Sequence, residues 1–122
     1  MAGRFPVLMY HRLESPECPV DSAQERPWSV PLAEFDRQMA RLRETGRLGV
    51  SMDQIHSELA AGRDVPAAWV GLTFDDGNAS DYRHALPVLT GYGFHATFFV
   101  CADRIQGEMP PAQLRELRAA GM

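Results

Sequence analysis

The feature that most constrains the fold is an alternation of short apolar runs with segments of helical periodicity. Apolar, β-branched or aromatic runs typical of strands occupy residues 5–11, 48–50, 67–74 and 95–102. Helical spacing follows in residues 31–45, 51–61, 78–93 and 110–121. Strands that alternate with helices pair in parallel, so the sequence predicts an α/β fold built from β/α units.

Individual residues mark the ends of two of these helices. Pro31 suits the first turn of the helix that it opens. Ser51 with Gln54 three residues on has the pattern of a capping box, which predicts a helix start at residue 51. Between the first strand and the first helix, residues 14–30 contain three prolines and many turn formers, and we expect a long irregular loop there.

Length, charge and hydropathy restrict the class of protein. The 122 residues suffice for one domain with a core, and the net charge of -4 argues against a nucleic-acid partner. No apolar run approaches 18 residues, so we expect no membrane span. No export signal is visible, so the sequence as written is cytoplasmic, and the native location is left open. Cys18 and Cys101 lack zinc-site spacing, and we expect both to be thiols, Cys101 within a buried strand.

The candidate site is the sequence Asp75-Asp76-Gly77 at the end of the strand at 67–74. In parallel β/α folds the carboxyl ends of the strands surround one concave site. His11 ends the first strand and is therefore expected on the same edge, where it would line the pocket and bind substrate. Two adjacent carboxylates repel each other, which favours a divalent cation beside them. Two other interpretations of this sequence are structural. One is a hairpin turn, and the other is a loop in which Asp76 or Asn78 caps the next helix.

The sequence TFDDG at residues 73–77 resembles the first motif of the polysaccharide deacetylases, the NodB-homology domains of carbohydrate esterase family four. VLMYHRL at 7–13 is similar to the family's first strand, FDRQMARL at 35–42 to its first helix, and ALPVLTGYGFHATFFV at 85–100 to the segment after the motif. The resemblance implies a (β/α) barrel that removes acetyl groups from N-acetylated sugars. It implies that Asp75 is the general base, that Asp76 binds a divalent metal, commonly zinc, and that Gly77 forms the motif's turn.

The family's second motif, H-[S/T]-x-x-H, supplies two histidine ligands and does not occur in these 122 residues. Of the other histidines, His95 is expected at the wrong end of its strand, and His56 and His84 are expected on helix surfaces. We therefore expect residues 1–122 to be the amino-terminal part of one deacetylase domain, roughly the first half of the barrel, and to be inactive alone. Unpaired sheet edges would then favour self-association.

Two alternatives remain open on the sequence. One is a glycan-binding or assembly fragment without chemistry. The other is a Mg²⁺-dependent phosphotransferase with a D-x-D-G loop, although Asp75 and Asp76 are adjacent here and that loop separates its aspartates by one residue.

Overall fold

A computed structural model describes residues 4–20, 22–104 and 108–122. Its main sheet contains β1 (Val7–Tyr10), β4 (Leu48–Val50), β5 (Trp69–Phe74) and β6 (Thr97–Phe98). β5 pairs in parallel with β1 on one side and with β4 and β6 on the other. The predicted parallel sheet of an α/β fold is therefore confirmed.

Side chains of β5 alternate between the two faces of the sheet. Val70, Leu72 and Phe74 are buried in the larger core cluster. On the opposite face Gly71 leaves room for Ile55, since a Cβ atom at Gly71 would lie 3.1 Å from Ile55 Cδ1. A strand buried on both faces needs no polar side, which explains the continuous apolar run in the sequence.

Among the described residues four α-helices follow strands, as the alternation predicts. They are α1 (Leu32–Glu44), α2 (Met52–Ala60), α3 (Leu86–Tyr92) and α4 (Pro111–Ala119). Phe35 of α1 packs its ring edge against Tyr10 and Phe74, at centroid distances of 5.0 and 5.7 Å. Phe74 also stacks on Phe98 at 4.8 Å. This aromatic group joins helix and sheet directly beneath the carboxyl ends of β1, β5 and β6.

The segment at 14–30 is more ordered than predicted. Residues Arg12–Glu14 form β2 and Ser29–Pro31 form β3, which pair in parallel as a separate two-stranded sheet. A 3₁₀ turn at Arg26–Trp28 precedes β3. Strands of three residues show no periodicity that a sequence pattern could reveal, so the expectation of an irregular loop was wrong at both ends of the segment.

Two other elements differ from the prediction. The helix after the acidic pair contains a π-helical turn at Asp81–Ala85, where Leu86 N–H donates to the carbonyl of Asp81. Pro87 has no N–H for the carbonyl of Arg83 and its ring crowds that carbonyl, which favours the wider turn before it. β6 contains two residues instead of the eight predicted, and Cys101 lies beyond it and is only partly buried.

The predicted capping box at the start of α2 is confirmed. Ser51 Oγ accepts from Gln54 N–H at 3.3 Å, and Gln54 Oε1 accepts from Ser51 N–H at 2.9 Å. We expect Ser51→Ala to lower the free energy of unfolding by about 1 kcal/mol, because the backbone N–H of Gln54 loses its acceptor. Urea unfolding measures the effect. Ser57→Ala, on the exposed face of the same helix, is the control, and an equal loss in both variants would contradict the role of the cap.

No helix in the described ranges has the length and apolar character needed to cross a membrane. β1 pairs only with β5 among the described strands, so one side of β1 is an open edge. Self-association through this edge stays a prediction.

Candidate active site

The candidate active site lies where β1 and β5 end side by side. Tyr10 is paired with Phe74 in the parallel register, so His11 and Asp75 each follow at the same edge. Asp75 N–H donates to the carbonyl of Tyr10 at 2.9 Å, which extends the ladder by one bond. The structure thus brings the predicted residues His11 and Asp75 together at the carboxyl edge of the sheet.

The chain reverses direction immediately after Asp75. Asp76 and Gly77 both have left-handed backbone conformations, with φ of 73° and 66°. Such a φ is uncommon for a residue with a side chain. At Gly77 a Cβ atom would also lie 3.2 Å from the Cα atom of Val100, so the backbone at Val100 would have to shift to accept one. The helical turn that follows excludes the hairpin alternative.

The carboxylate of Asp76 is held between an imidazole and a thiol. His11 Nε2 lies 2.6 Å from Asp76 Oδ2, and Cys101 Sγ lies 3.5 Å from Asp76 Oδ1. His11 is 22% exposed in its side chain and Asp76 is 42% exposed. Asp76 is therefore open to a ligand while its orientation is restrained from two sides. Sequence reasoning gave no signal for Cys101, because its position depends on the path of the chain after β6.

Two buried polar residues after the acidic pair attach this loop to the chain after β1. Asn78 Nδ2 donates to the carbonyl of His11 at 2.7 Å and, at 3.3 Å, to that of Asp75. Ser80 Oγ accepts from Leu13 N–H at 3.0 Å. Asn78 Oδ1 accepts no hydrogen bond in the described part of the chain, so the alternative in which its side chain caps the next helix is wrong. Its amide fixes the spacing between His11 and Asp75 instead.

Asp81 is a further carboxyl group, and sequence reasoning missed it. It is 0% exposed, and neither carboxyl oxygen has hydrogen-bond geometry with a partner in the described part of the chain. Burial raises its pKa to about 8, and the charges of Asp75, Glu108 and Asp76 add to this shift. The backbone N–H of Asn78 opposes the shift without cancelling it. Asp81 is therefore protonated in the folded protein at neutral pH, whereas an exposed aspartate is ionised.

A cavity of about 450 Å³ opens beside Asp75. It is lined by Met9, Tyr10, His11, Pro27, Trp28, Val30 and Asp75. Cavities of this size accommodate small ligands, and a few polar groups in an apolar lining are typical of such sites. The sequence predicted His11 and Asp75 in one pocket, whereas Trp28 arrives from the segment expected to be an irregular loop.

Metal binding at Asp76 stays a prediction. No group of three His, Cys, Asp or Glu residues within 4–20, 22–104 and 108–122 is placed so as to hold a metal ion. A catalytic zinc site takes three protein ligands and one open position. Asp76 offers an exposed carboxylate and fits as one such ligand, but the described residues do not complete the set.

The other histidines lie outside this site. His56 is exposed on α2, as expected. His84 is 9% exposed, and its Nε2 lies 2.7 Å from Ser15 Oγ, so its expected surface position was wrong. The segment after β2 covers His84, a contact between residues 69 positions apart that helical periodicity alone does not indicate.

The family model for polysaccharide deacetylases matches residues 62–122, a range that contains the acidic pair and the whole of β5. The chain belongs to this family. Membership favours deacetylase chemistry over the phosphotransferase alternative, and it identifies the fold as the corresponding part of a (β/α) barrel.

Known deacetylases align with most of the chain. An Escherichia coli poly-beta-1,6-N-acetyl-D-glucosamine N-deacetylase is 33% identical over 94 residues, which are 77% of this chain and 13% of that protein. The Streptococcus pyogenes deacetylase PplD, in complex with acetate, superposes with a TM-score of 0.81 and 26% identity. IcaB from Ammonifex degensii superposes at 0.75 with 31% identity over 96% of this chain. The chain spans 55% and 49% of these two solved chains.

Proposed function

We propose that this chain contributes to a metal-dependent deacetylase that hydrolyses N-acetyl groups of N-acetylated glycans. The observation that carries the proposal is the position of Asp75 and Asp76, at the joint carboxyl edge of β1 and β5 and beside a ligand-sized cavity. The E. coli relative is named for a polymer of N-acetyl-D-glucosamine, which supports a glycan of N-acetylated hexosamines as substrate. Residues 1–122 would be the amino-terminal part of one such domain.

Asp75 is assigned the role of general base. Asp75 lines the cavity, and the bond from its N–H to the carbonyl of Tyr10 holds its backbone at the end of the ladder. A base in that position takes the proton of the attacking water, and the acetyl group leaves as acetate while the sugar nitrogen becomes an amine. Proton transfer of this kind contributes typically about 10²- to 10⁴-fold in rate.

Asp76 is assigned as one ligand of a divalent metal, with zinc expected. When bound, such an ion polarises the acetyl carbonyl and activates water. His11 Nε2 lies 2.6 Å from Asp76 Oδ2 and Cys101 Sγ lies 3.5 Å from Asp76 Oδ1, so both contacts orient the carboxylate that would bind the metal. His11 therefore has a positioning role toward Asp76 in addition to its predicted contact with substrate in the cavity.

The 122-residue chain is expected to be inactive by itself, because its described residues offer one clear metal ligand where three are needed. The activity of this chain is compared with that of a chimeric protein in which residues 1–122 are followed by the part of the PplD chain that they do not span. This protein is called the PplD chimera. The substrate is N-acetylated chitotetraose, the tetramer of N-acetylglucosamine, and the acetate released from it measures turnover.

We expect no turnover by the 122-residue chain and measurable turnover by the PplD chimera. A chelator should abolish the turnover of the chimera, and addition of Zn²⁺ or Co²⁺ should restore it. Turnover by the short chain that disappears in Asp75→Asn would overturn its inactivity. A chimera that is folded by circular dichroism, binds zinc and still releases no acetate would contradict the enzyme assignment. Turnover that survives complete metal removal would contradict the metal dependence alone.

A further inference from the structure

Trp28 is a large aromatic side chain left in solvent at the candidate site. It is 59% exposed and lines the cavity that contains His11 and Asp75. Met9, on the same cavity, is 65% exposed. An indole ring has a large apolar surface, which is normally buried against protein or ligand. An exposed aromatic ring beside the carboxylate of Asp75 thus points to a bound partner.

The backbone around Trp28 holds it beside His11. β2 and β3 pair with Arg12 opposite Ser29, so the residues just before them, His11 and Trp28, are neighbours. Trp28 N–H donates to the carbonyl of Glu25 at 2.9 Å, and Ser29 Oγ donates to the same carbonyl at 2.9 Å. The position of Trp28 is therefore set by a short ladder and a closed turn.

The chemistry of the cavity selects a ligand with two kinds of surface. Trp28, Met9 and Val30 provide an apolar wall, whereas His11 and Asp75 provide hydrogen-bonding groups. A pyranose ring has the matching character, since its axial C–H groups form an apolar face and its hydroxyl and acetamido groups form a polar edge. An all-apolar ligand would leave the carboxylate of Asp75 without a polar partner.

We propose that Trp28 is the stacking platform for a pyranose ring of the glycan and a determinant of its orientation toward Asp75. The inference rests on the proposed function and deepens it by naming the residue that recognises the sugar. Stacking on the indole presents the acetamido edge to Asp75 and His11. Trp28 is thus a substrate-binding residue and takes no part in proton transfer.

The chain contains only two tryptophans, which makes the test direct. Trp69 begins β5 at the opposite end of that six-residue strand, about 20 Å from Asp75. In a ¹H–¹⁵N spectrum of the 122-residue chain, Trp69→Phe removes one indole resonance and identifies that of Trp28. On titration with N-acetylated chitotetraose we expect the Trp28 resonance to shift saturably and that of Trp69 to stay in place.

Variants test the energetic contribution. We expect Trp28→Ala to weaken tetramer binding at least about tenfold, because the indole would be buried against the sugar in the complex. Trp28→Phe should restore part of the lost affinity. Phe99→Ala is the matched control, because Phe99 is 53% exposed and does not line the cavity. An unmoved Trp28 resonance, or equal affinity in Trp28→Ala and wild type, would overturn the proposal.

The PplD chimera separates this inference from the proposed function. If the chimera deacetylates the tetramer and Trp28→Ala raises KM and lowers kcat, because the sugar ring is bound less tightly and oriented less well, both stand. Turnover with an unchanged KM in Trp28→Ala contradicts the platform alone. Sugar binding through Trp28 in a folded, zinc-loaded chimera without turnover contradicts the deacetylase assignment and supports a glycan-binding module.

Discussion

Replacement of Asp75 by asparagine in the PplD chimera is expected to lower kcat by about 10²- to 10⁴-fold, the usual contribution of a general base. The amide keeps the shape of the side chain and the N–H bond to Tyr10, so the edge of the sheet is preserved. The asparagine cannot accept the proton of the attacking water. KM for the tetramer should change little, since Trp28 and His11 remain on the cavity.

Metal affinity distinguishes the two aspartates of the motif. We expect Asp75→Asn to retain zinc, measured by calorimetric titration, whereas Asp76→Asn loses both zinc affinity and turnover. Asp64→Asn is the control, because Asp64 is exposed in the loop that precedes β5 and so lies at the far end of the strand. If Asp75→Asn keeps normal kcat, or if it releases zinc as readily as Asp76→Asn, the assigned roles are wrong.

The sequence was sufficient to predict the parts of the site that depend on strand direction. Parallel strands end at one edge, so two positions, His11 and Asp75, could be placed together from the alternation alone. The capping box at Ser51 is equally local, because its four residues carry the whole signal. Both predictions needed only patterns within one β/α unit.

The remaining parts of the site depend on contacts between distant segments. Trp28 reaches the cavity through the register of two three-residue strands, which have no detectable periodicity. Asp81 lies in the segment of helical spacing at 78–93, where its type alone assigns it to the exposed face, yet it is completely buried. Charged residues are normally assigned to the surface because burial of a charge costs free energy, and in Asp81 that cost is avoided by protonation.

The protonation of Asp81 makes the stability of the protein depend on pH in an unusual direction. In the unfolded chain its carboxyl group ionises near pH 3.8, as an exposed aspartate does, whereas burial raises the folded pKa to about 8. Below pH 3.8 the group is protonated in both states and favours neither. Between about pH 4 and pH 8 only the unfolded state loses the proton, so this contribution to stability declines as the pH rises, by about 1.4 kcal/mol per unit. Above about pH 8 the carboxyl group is ionised in both states, and its contribution to the free energy of unfolding has fallen by its full amount, at most about 6 kcal/mol.

Asp81→Asn removes this titration, because an amide is neutral in both states. From about pH 5 to about pH 8 we expect the stability of wild type to fall relative to Asp81→Asn by about 3 to 4 kcal/mol, measured as the difference in urea unfolding free energies. Asp64→Asn should follow the wild-type profile. Parallel profiles for wild type and Asp81→Asn would show that Asp81 is ionised in the folded state. The carboxyl ¹³C resonance of Asp81 provides a direct check, since its midpoint should lie near pH 8 and should move down in Asp75→Asn, where one of the neighbouring charges that raise this pKa is absent.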